Sequence, residues 1–155
     1  MKTIPRLLVT FESDAFNASE SKDYFINECC FGDDVARWLI AKLRARGVQT
    51  GDQPGQEDFG WYLTFVSGGR AHRFVIGCRP GDEAGPDLWI GWLERDKGTF
   101  GRLFGGHNRG IGPSATNAIH QILKASAEVR NVRWHRRHEF DANREELGTD
   151  DPESR

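Results

Sequence analysis

The chain has 155 residues, a net charge of −2 and an apolar fraction of 37 %. This length suits one hydrophobic core better than two, and the near-neutral charge gives no electrostatic case for binding nucleic acid or an anionic membrane. The longest apolar run near the start, Leu7-Leu8-Val9, is too short for a signal peptide or a membrane span. Three cysteines, two of them adjacent, do not form a disulfide framework, so we expect a reducing, cytoplasmic environment.

The first predicted element is a half-buried strand over residues 6–12. Leu7, Val9 and Phe11 alternate there with side chains of the opposite parity. Residues 13–32 follow as a long polar segment with spaced aromatic residues. A loop of this length in a small domain is usually functional or held down by its own side chains, and the aromatic residues favour the second interpretation.

A helix is predicted from residue 33 or 34 to about Arg46. Its apolar side chains recur at i, i+3, i+4 and i+8, the spacing of one helix face. Asp33 or Asp34 is suited to cap its start, and Gly47 is suited to end it.

Three strands are predicted next, at about 61–66, 72–78 and 88–93. Gly68 and Gly69 separate the first two, and paired glycines supply the positive φ angles of a tight hairpin turn. Apolar residues occur at both parities of these strands, so we expect both faces of the sheet to be largely covered.

A second helix is predicted from Pro113-Ser114 to about Glu128, followed by a strand at about 129–136. Residues 1–138 are therefore predicted to form a single α+β domain. The expected architecture is a two-layer sandwich of two helices on a mainly antiparallel sheet of about five strands, in the order β-α-β-β-β-α-β. Residues 139–155 are acidic and poor in apolar residues, so we expect a frayed or disordered tail.

Two short motifs carry a resemblance. Phe31-Gly32-Asp33-Asp34, followed by Glu57-Asp58-Phe59-Gly60-Trp61, resembles a group of small bacterial proteins with no established function. In that group an Asp-rich helix start precedes a strand that begins with Glu-Asp-aromatic-Gly-Trp. The resemblance covers about residues 11–94. It implies a bacterial origin and an α+β fold, and it implies no activity and no catalytic residue.

The acidic part of these motifs has two interpretations. Glu57 and Asp58, with Trp61 beside them, are candidate ligand-binding residues, because carboxylates suit hard cations or acid–base work. The alternative is local: the aspartates near residue 33 cap a helix, and Glu57 and Asp58 end a turn. The spacing matches no calcium-binding loop, and we favour the local role.

A glycine-rich segment before the second helix supplies three further candidates. Arg102, His107 and Arg109 lie there, and a helix N-terminus with nearby arginines attracts anions. The segment lacks the Gly-Lys-Ser/Thr of a P-loop and the context of a dinucleotide fold. A flexible connector is the alternative interpretation, and it is the one we favour.

The basic stretch at residues 130–138 surrounds Trp134, a combination that nucleic-acid-binding proteins use. The acidic tail follows at once, so we interpret the stretch as a strand whose charges oppose aggregation. Nucleic acid is not an expected partner.

The functional prediction is a small, soluble, non-enzymatic domain that binds another protein, in a regulatory or toxin-neutralising role. The sequence contains no zinc spacing and no nucleophile elbow, and we predict no catalytic residue, metal or cofactor. Aromatic residues and arginines, which the chain has in number, are common interface anchors. The alternative is a small enzyme or sensor that binds a phosphate- or carboxylate-bearing ligand at the glycine-rich segment and the second helix N-terminus.

Overall fold

The structure, a computed structural model, describes residues 3–28, 30–83, 85–96 and 110–154. Within these residues the strands are β1 (Leu8–Glu12), β2 (Gly55–Glu57), β3 (Gly60–Ser67), β4 (Arg70–Arg79), β5 (Leu88–Arg95) and β6 (Arg130–His135), and the helices are α1 (Asp33–Ala45), α2 (Pro113–Ala125) and α3 (Arg137–Asp141). The strands form one sheet in the order β2-β3-β4-β5-β1-β6. All five strand pairs are antiparallel. The predicted α+β class is confirmed, and the strand beyond the expected five is the short β2.

The two faces of the sheet carry different sets of side chains, because side chains alternate along a strand. Trp61 lies opposite Ile76, and Leu63 lies opposite Phe74. These four side chains share the face that packs against α1 and α2, which we call the helix face. Tyr62 and its neighbours of the same parity project from the other side, which we call the outer face.

Aromatic side chains dominate the core between the sheet and the helices. The largest fully buried side chains are Trp89, Trp134, Phe11, Phe65 and Phe74. Large aromatic rings remove much apolar area from water, and burying one contributes about 1.5–3 kcal/mol. A chain with a low apolar fraction therefore still builds a continuous core.

Gly91 shows how closely this core is packed. It lies on the helix face of β5, opposite Ile76 of β4 and Val9 of β1. A methyl group added at Gly91 would overlap the ring of Phe74. The absence of a side chain at this position lets the aromatic ring lie directly against the backbone of β5.

The start of α1 differs from the prediction. Gly32, at φ 136°, precedes the helix, and no side chain caps it. Asp34 instead accepts a hydrogen bond from the backbone N–H of Asn17 at 2.7 Å, and Asp33 accepts one from the hydroxyl of Tyr24. Neither aspartate is the capping residue, because both lie inside the helix and bind the preceding segment; Asp34 also accepts from the Val35 N–H at 2.9 Å.

That long segment is held down by aromatic contacts, as predicted. The Phe25 ring lies 5.3 Å from Trp61 and 6.0 Å from Phe31, measured between ring centroids. Phe16 packs edge-on against Trp38 and Trp89 at 5.4 and 5.9 Å.

Residues 137–154, expected to belong mostly to a frayed tail, fold against the sheet. Thr149 pairs with Trp134 beyond the edge of β6, and Glu145 forms an ion pair with Arg79 at 2.7 Å. The buried guanidinium of Arg6 donates to the carbonyl oxygens of Leu147 and Ser154. Polar contacts to the sheet therefore order a segment whose low apolar content indicated disorder.

Candidate binding groove

A groove of about 270 Å³ opens on the outer face, between α3 and the turn that joins β2 to β3. We call it the sheet groove. Its apolar lining consists of Leu8, Phe59, Ile90, Trp92 and Phe140. Leu8 comes from β1, Ile90 and Trp92 come from β5, Phe140 comes from α3 and Phe59 comes from the turn, so only the folded chain assembles the groove.

Strand alternation places the floor of the groove. Along β5, Trp89, Gly91 and Leu93 face the helices, so Ile90 and Trp92 face outward. Leu8 of β1 lies directly opposite Trp92. The floor is therefore a patch of large apolar side chains on the face that the helices leave open.

The first turn of α3 supplies one wall. Arg137, Phe140 and Asp141 are spaced at i, i+3 and i+4, which places them on one helix face, and all three line the groove. The ring of Phe140 also packs edge-on against the buried His135, with centroids 5.3 Å apart. This contact fixes the wall against β6.

Trp92 is the central residue of the groove. Its ring centroid lies 6.0 Å from that of Phe59 in a tilted arrangement. The guanidinium carbon of Arg137 lies 4.8 Å from the Trp92 ring centroid, a distance at which a cation is attracted to the ring face. The indole N–H donates to a carboxylate oxygen of Glu94 at 3.1 Å, which holds the ring in one orientation.

Phe59, at the groove, is 52 % exposed. Tyr24 and Ile26 are 52 % and 66 % exposed, and they belong to a loop that is bound to the β2–β3 turn. The Asn27 side chain donates to the Asp58 carbonyl at 3.2 Å, and the Ile26 N–H donates to the Gln56 side chain at 2.8 Å. These two bonds hold the loop to the turn, while the Tyr24 ring packs against Trp61 of the helix face.

One exposed charge pair borders the groove. Arg137 lies 3.5 Å from Asp141, and the two side chains are 50 % and 61 % exposed. Exposed pairs at this helical spacing contribute only about 0.3–0.5 kcal/mol. An incoming carboxylate can therefore replace Asp141 at Arg137 at little cost.

Two cysteines, Cys30 and Cys78, also line the groove. Burial, with smaller effects from Asp87 and Asp34, raises the pKa of the Cys78 thiol to about 12. A thiol with such a pKa stays protonated near neutral pH and is a poor nucleophile. Cys78, which has the parity of Ile76 and packs against the helix-face core, is therefore a packing residue rather than a reactive one.

The candidate residues around the acidic motif do not come together. Glu57 is on the outer face, where it forms an ion pair with the buried Arg73 at 3.1 Å. Asp58 is exposed in the β2–β3 turn. Trp61 is on the helix face, only 3 % exposed, and its indole N–H donates to the Cys30 carbonyl at 3.0 Å. Glu57 and Trp61 are thus separated by the sheet.

The remaining candidates, Arg102, His107 and Arg109, lie outside the described residues. The described residues that do line the groove were mostly missed by sequence analysis. Phe59 belongs to the Glu57–Trp61 motif, but no function was predicted for it. Phe140 lies in the expected tail, and Arg137 lies just before it. The signal that was available is the i, i+3 spacing of Arg137 and Phe140 directly after a predicted strand.

No protein-family model, curated protein or solved structure matches the chain. None of the helices in the described part of the chain has the length and apolarity needed to cross a bilayer. Among the described residues, no three His, Cys, Asp or Glu side chains come close enough together to hold a metal ion.

Proposed function

We propose that this protein is a small, non-enzymatic binding domain that holds a segment of another protein in the sheet groove. The observation that carries the proposal is the position of Phe59. This half-exposed ring packs on Trp92 at the groove, and the turn that carries it is hydrogen-bonded to the loop of the exposed Tyr24 and Ile26. Exposed apolar surface with a polar border is typical of protein interaction sites.

The size of the groove favours a protein segment over a small molecule. Pockets that enclose small ligands usually have volumes of about 300–1,000 Å³ and cover most of the ligand. The sheet groove has about 270 Å³ and is open to solvent. Such a volume suits one or two large side chains of a longer chain whose remainder lies on the rim.

The charges at the groove indicate the chemistry of the partner. The floor is apolar and aromatic, and the cation of Arg137 borders it. A matching segment carries a large apolar side chain for the floor and, close by in its sequence, a carboxylate for Arg137. We therefore propose an acidic, apolar peptide segment as the occupant.

The cellular setting in this proposal is the bacterial cytoplasm. The odd cysteine number supports a reducing compartment, and the resemblance of the Phe31–Asp34 and Glu57–Trp61 motifs supports a bacterial source. A regulatory or toxin-neutralising protein is one concrete form of such a binding domain.

A peptide selection tests the proposal. A displayed library of random peptides is selected on the full chain, and the selected peptides are titrated by tryptophan fluorescence. We expect a consensus of a large apolar residue with a nearby Asp or Glu, and binding that is weakened about tenfold or more by Phe59→Ala.

The matched control is Ile4→Ala, since Ile4 is also an exposed apolar residue, at 55 %, and lies outside the groove lining. It should leave the affinity unchanged. Selection of peptides without a consensus, or equal binding to the Phe59→Ala variant, would contradict the proposal. Preferential binding of small aromatic molecules, with no peptide binding, would also contradict it.

A further inference from the structure

The segment that forms one wall of the sheet groove also covers a buried histidine. We call this segment, residues 137–149, the strap. His135 of β6 lies opposite Leu8 of β1, so its side chain is on the outer face, and it is only 3 % exposed. The strap contacts the ring at two points. The Phe140 ring lies 5.3 Å from it, measured between ring centroids, and a methyl group built at Gly148 would lie 2.8 Å from its Nδ1. The ring is therefore enclosed between the sheet and the strap.

The two ring nitrogens of His135 have different surroundings. Nε2 lies 2.8 Å from the hydroxyl of Thr10 on β1. Nδ1 has no hydrogen-bond partner among the described residues, and the backbone of the strap approaches it closely at Gly148. A neutral imidazole has one N–H, which it can donate to Thr10, whereas a protonated ring has two. The second N–H would be buried without an acceptor, which is unfavourable.

The charged groups around the ring do not supply a counter-ion for it. They are two carboxylates and two guanidinium groups, namely Glu139 of α3, Glu145 in the turn that follows α3, Arg133 of β6 and Arg6 before β1. Neither carboxylate forms an ion pair with the ring. Glu145 pairs with Arg79 at 2.7 Å, and Glu139 pairs with Arg136 at 3.3 Å. A positive charge on His135 therefore has no available partner while the strap is closed.

The closed strap thus favours the neutral form of His135. Burial lowers the pKa of the ring; Glu145 and Glu139 oppose this shift, while Arg133 and Arg6 add to it. In a released strap the ring is exposed to water and has the ordinary histidine pKa of about 6.5. The released form then binds a proton more readily than the closed form, so a fall in pH below about 6.5 shifts the equilibrium towards release.

The strap is held to the sheet by few contacts. Neither α3 nor the helical turn Glu145–Leu147 contains a fully buried residue. Thr149 exchanges two backbone hydrogen bonds with Trp134 at the edge of β6, and the ion pair between Glu145 and Arg79 is about half exposed. Segments with few buried apolar contacts and exposed hydrogen bonds open locally at a low free energy.

We propose that protonation of His135 releases the strap from the outer face and so removes the wall of the sheet groove. Arg137, Phe140 and Asp141, which form that wall, all belong to the strap. The groove is complete near neutral pH and incomplete in mild acid. The consequence for peptide binding rests on the proposed function of the groove, whereas the release of the strap does not.

Hydrogen exchange of the full chain, measured by NMR near pH 7 and near pH 5, tests the release without a peptide. The Thr149 amide donates to the Trp134 carbonyl oxygen and reports on the strap. The Val75 amide, in the central strand β4, reports on global unfolding. We expect the protection factor of Thr149 to fall about tenfold in acid and to remain well below that of Val75. An unchanged protection factor of Thr149, or equal protection of the two amides in acid, would overturn the proposal.

The titration of the ring and two histidine variants assign the release to His135. In the wild type, the midpoint of the change at Thr149 should coincide with that of the His135 ring resonances. His135→Gln retains a side chain that can donate to Thr10 and cannot gain a proton, so the protection of Thr149 should no longer depend on pH. His138→Gln, the matched control, changes an exposed histidine of the strap and should retain the wild-type fall. Different midpoints, or a wild-type fall in His135→Gln, would overturn the proposal.

Peptides selected on the full chain test the consequence for the groove. Their affinity for the wild type should fall about tenfold between pH 7 and pH 5, because only the closed fraction binds, and it should stay constant for His135→Gln. The peptide carboxylates, with pKa values of about 4, remain mostly ionised over this range. Equal affinity of the wild type at the two pH values would overturn the proposal. If no peptide binds near pH 7, the proposed function fails, and hydrogen exchange at Thr149 still decides whether His135 releases the strap.

Discussion

Arg137 lies over the ring of Trp92, with its guanidinium carbon 4.8 Å from the ring centroid. The contact joins the short helix α3 to the outer face of β5. It is thus one of the contacts by which residues 137–154 become part of the folded domain and form a wall of the sheet groove.

Arg137→Ala should loosen α3. The variant loses a cation–π contact and a weak exposed ion pair, so the free energy of unfolding should fall by about 0.5–1 kcal/mol. Urea unfolding measures this change, and limited proteolysis should show faster cleavage between residues 137 and 147. Arg144→Ala is the control, because Arg144 is exposed and its ion pair is with the exposed Glu146; equal cleavage rates in the two variants would argue against the role of Arg137.

Gly91→Ala should destabilise the core. The added methyl group overlaps the Phe74 ring, and such overpacking typically costs about 1–3 kcal/mol. Gly85→Ala adds a methyl group that meets no other described residue within 4 Å, so it should change stability by less than about 0.5 kcal/mol. Chemical denaturation measures both. Combining Gly91→Ala with Phe74→Leu should recover part of the loss, and strict additivity of the two changes would disprove the clash.

Trp61→Ala should mainly reduce stability and Phe59→Ala should mainly reduce peptide binding, although the two residues are close in sequence. Trp61 is buried between Phe25 and the sheet, so its removal should cost about 3–5 kcal/mol of unfolding free energy. Phe59 is half exposed, so its removal should cost about 1 kcal/mol or less while it weakens peptide binding. Near-wild-type stability of Trp61→Ala would show that the ring is not a core residue.

Stability should fall below about pH 6.5 through His135. Burial lowers the pKa of this histidine; Glu145 and Glu139 oppose that shift, while Arg133 and Arg6 add to it. Its Nε2 lies 2.8 Å from the Thr10 hydroxyl, and its Nδ1 has no hydrogen-bond partner among the described residues. The histidine of the unfolded chain, with a pKa of about 6.5, therefore binds a proton more readily than His135 in the folded chain. The contribution of His135 to stability is constant above about pH 6.5. It decreases as the pH falls from about 6.5 towards the pKa of His135 in the folded chain.

The measurement for His135 is urea unfolding between pH 5 and 8. His135→Gln should reduce the slope of unfolding free energy against pH, even if the variant is less stable overall. His138→Gln changes an exposed histidine three residues away and should preserve the slope. His72 and His120 also have lowered pKa values because they are buried, so some slope should remain. An unchanged slope in His135→Gln would refute the assignment.

Much of the fold could be predicted because its elements have strong periodicity. In strands β3, β4 and β5, apolar residues either alternate with polar ones or occur at both parities. Helix α1 has a regular apolar stripe. The short β2 could not be predicted, since its three residues lie among turn-forming residues and are too few to show an alternation of apolar and polar side chains. The order of residues 137–154 depends on hydrogen bonds to Arg6 and the sheet edge, which no local pattern reveals.

The sheet groove was harder to predict, because part of it is built by residues whose position depends on contacts between distant parts of the chain. Its floor follows from the parity of β5, which assigns Ile90 and Trp92 to the face away from Gly91. Its wall depends on α3, which the tail composition concealed.

The lining of the sheet groove runs from Leu8 near one end of the chain to Asp141 near the other. A bound partner would therefore hold together parts of the chain that separate on unfolding. Occupancy at a hundred times the dissociation constant adds about 2.7 kcal/mol to the unfolding free energy. In a cell, the protein would be degraded more slowly while its partner is present, so its lifetime would follow the supply of that partner.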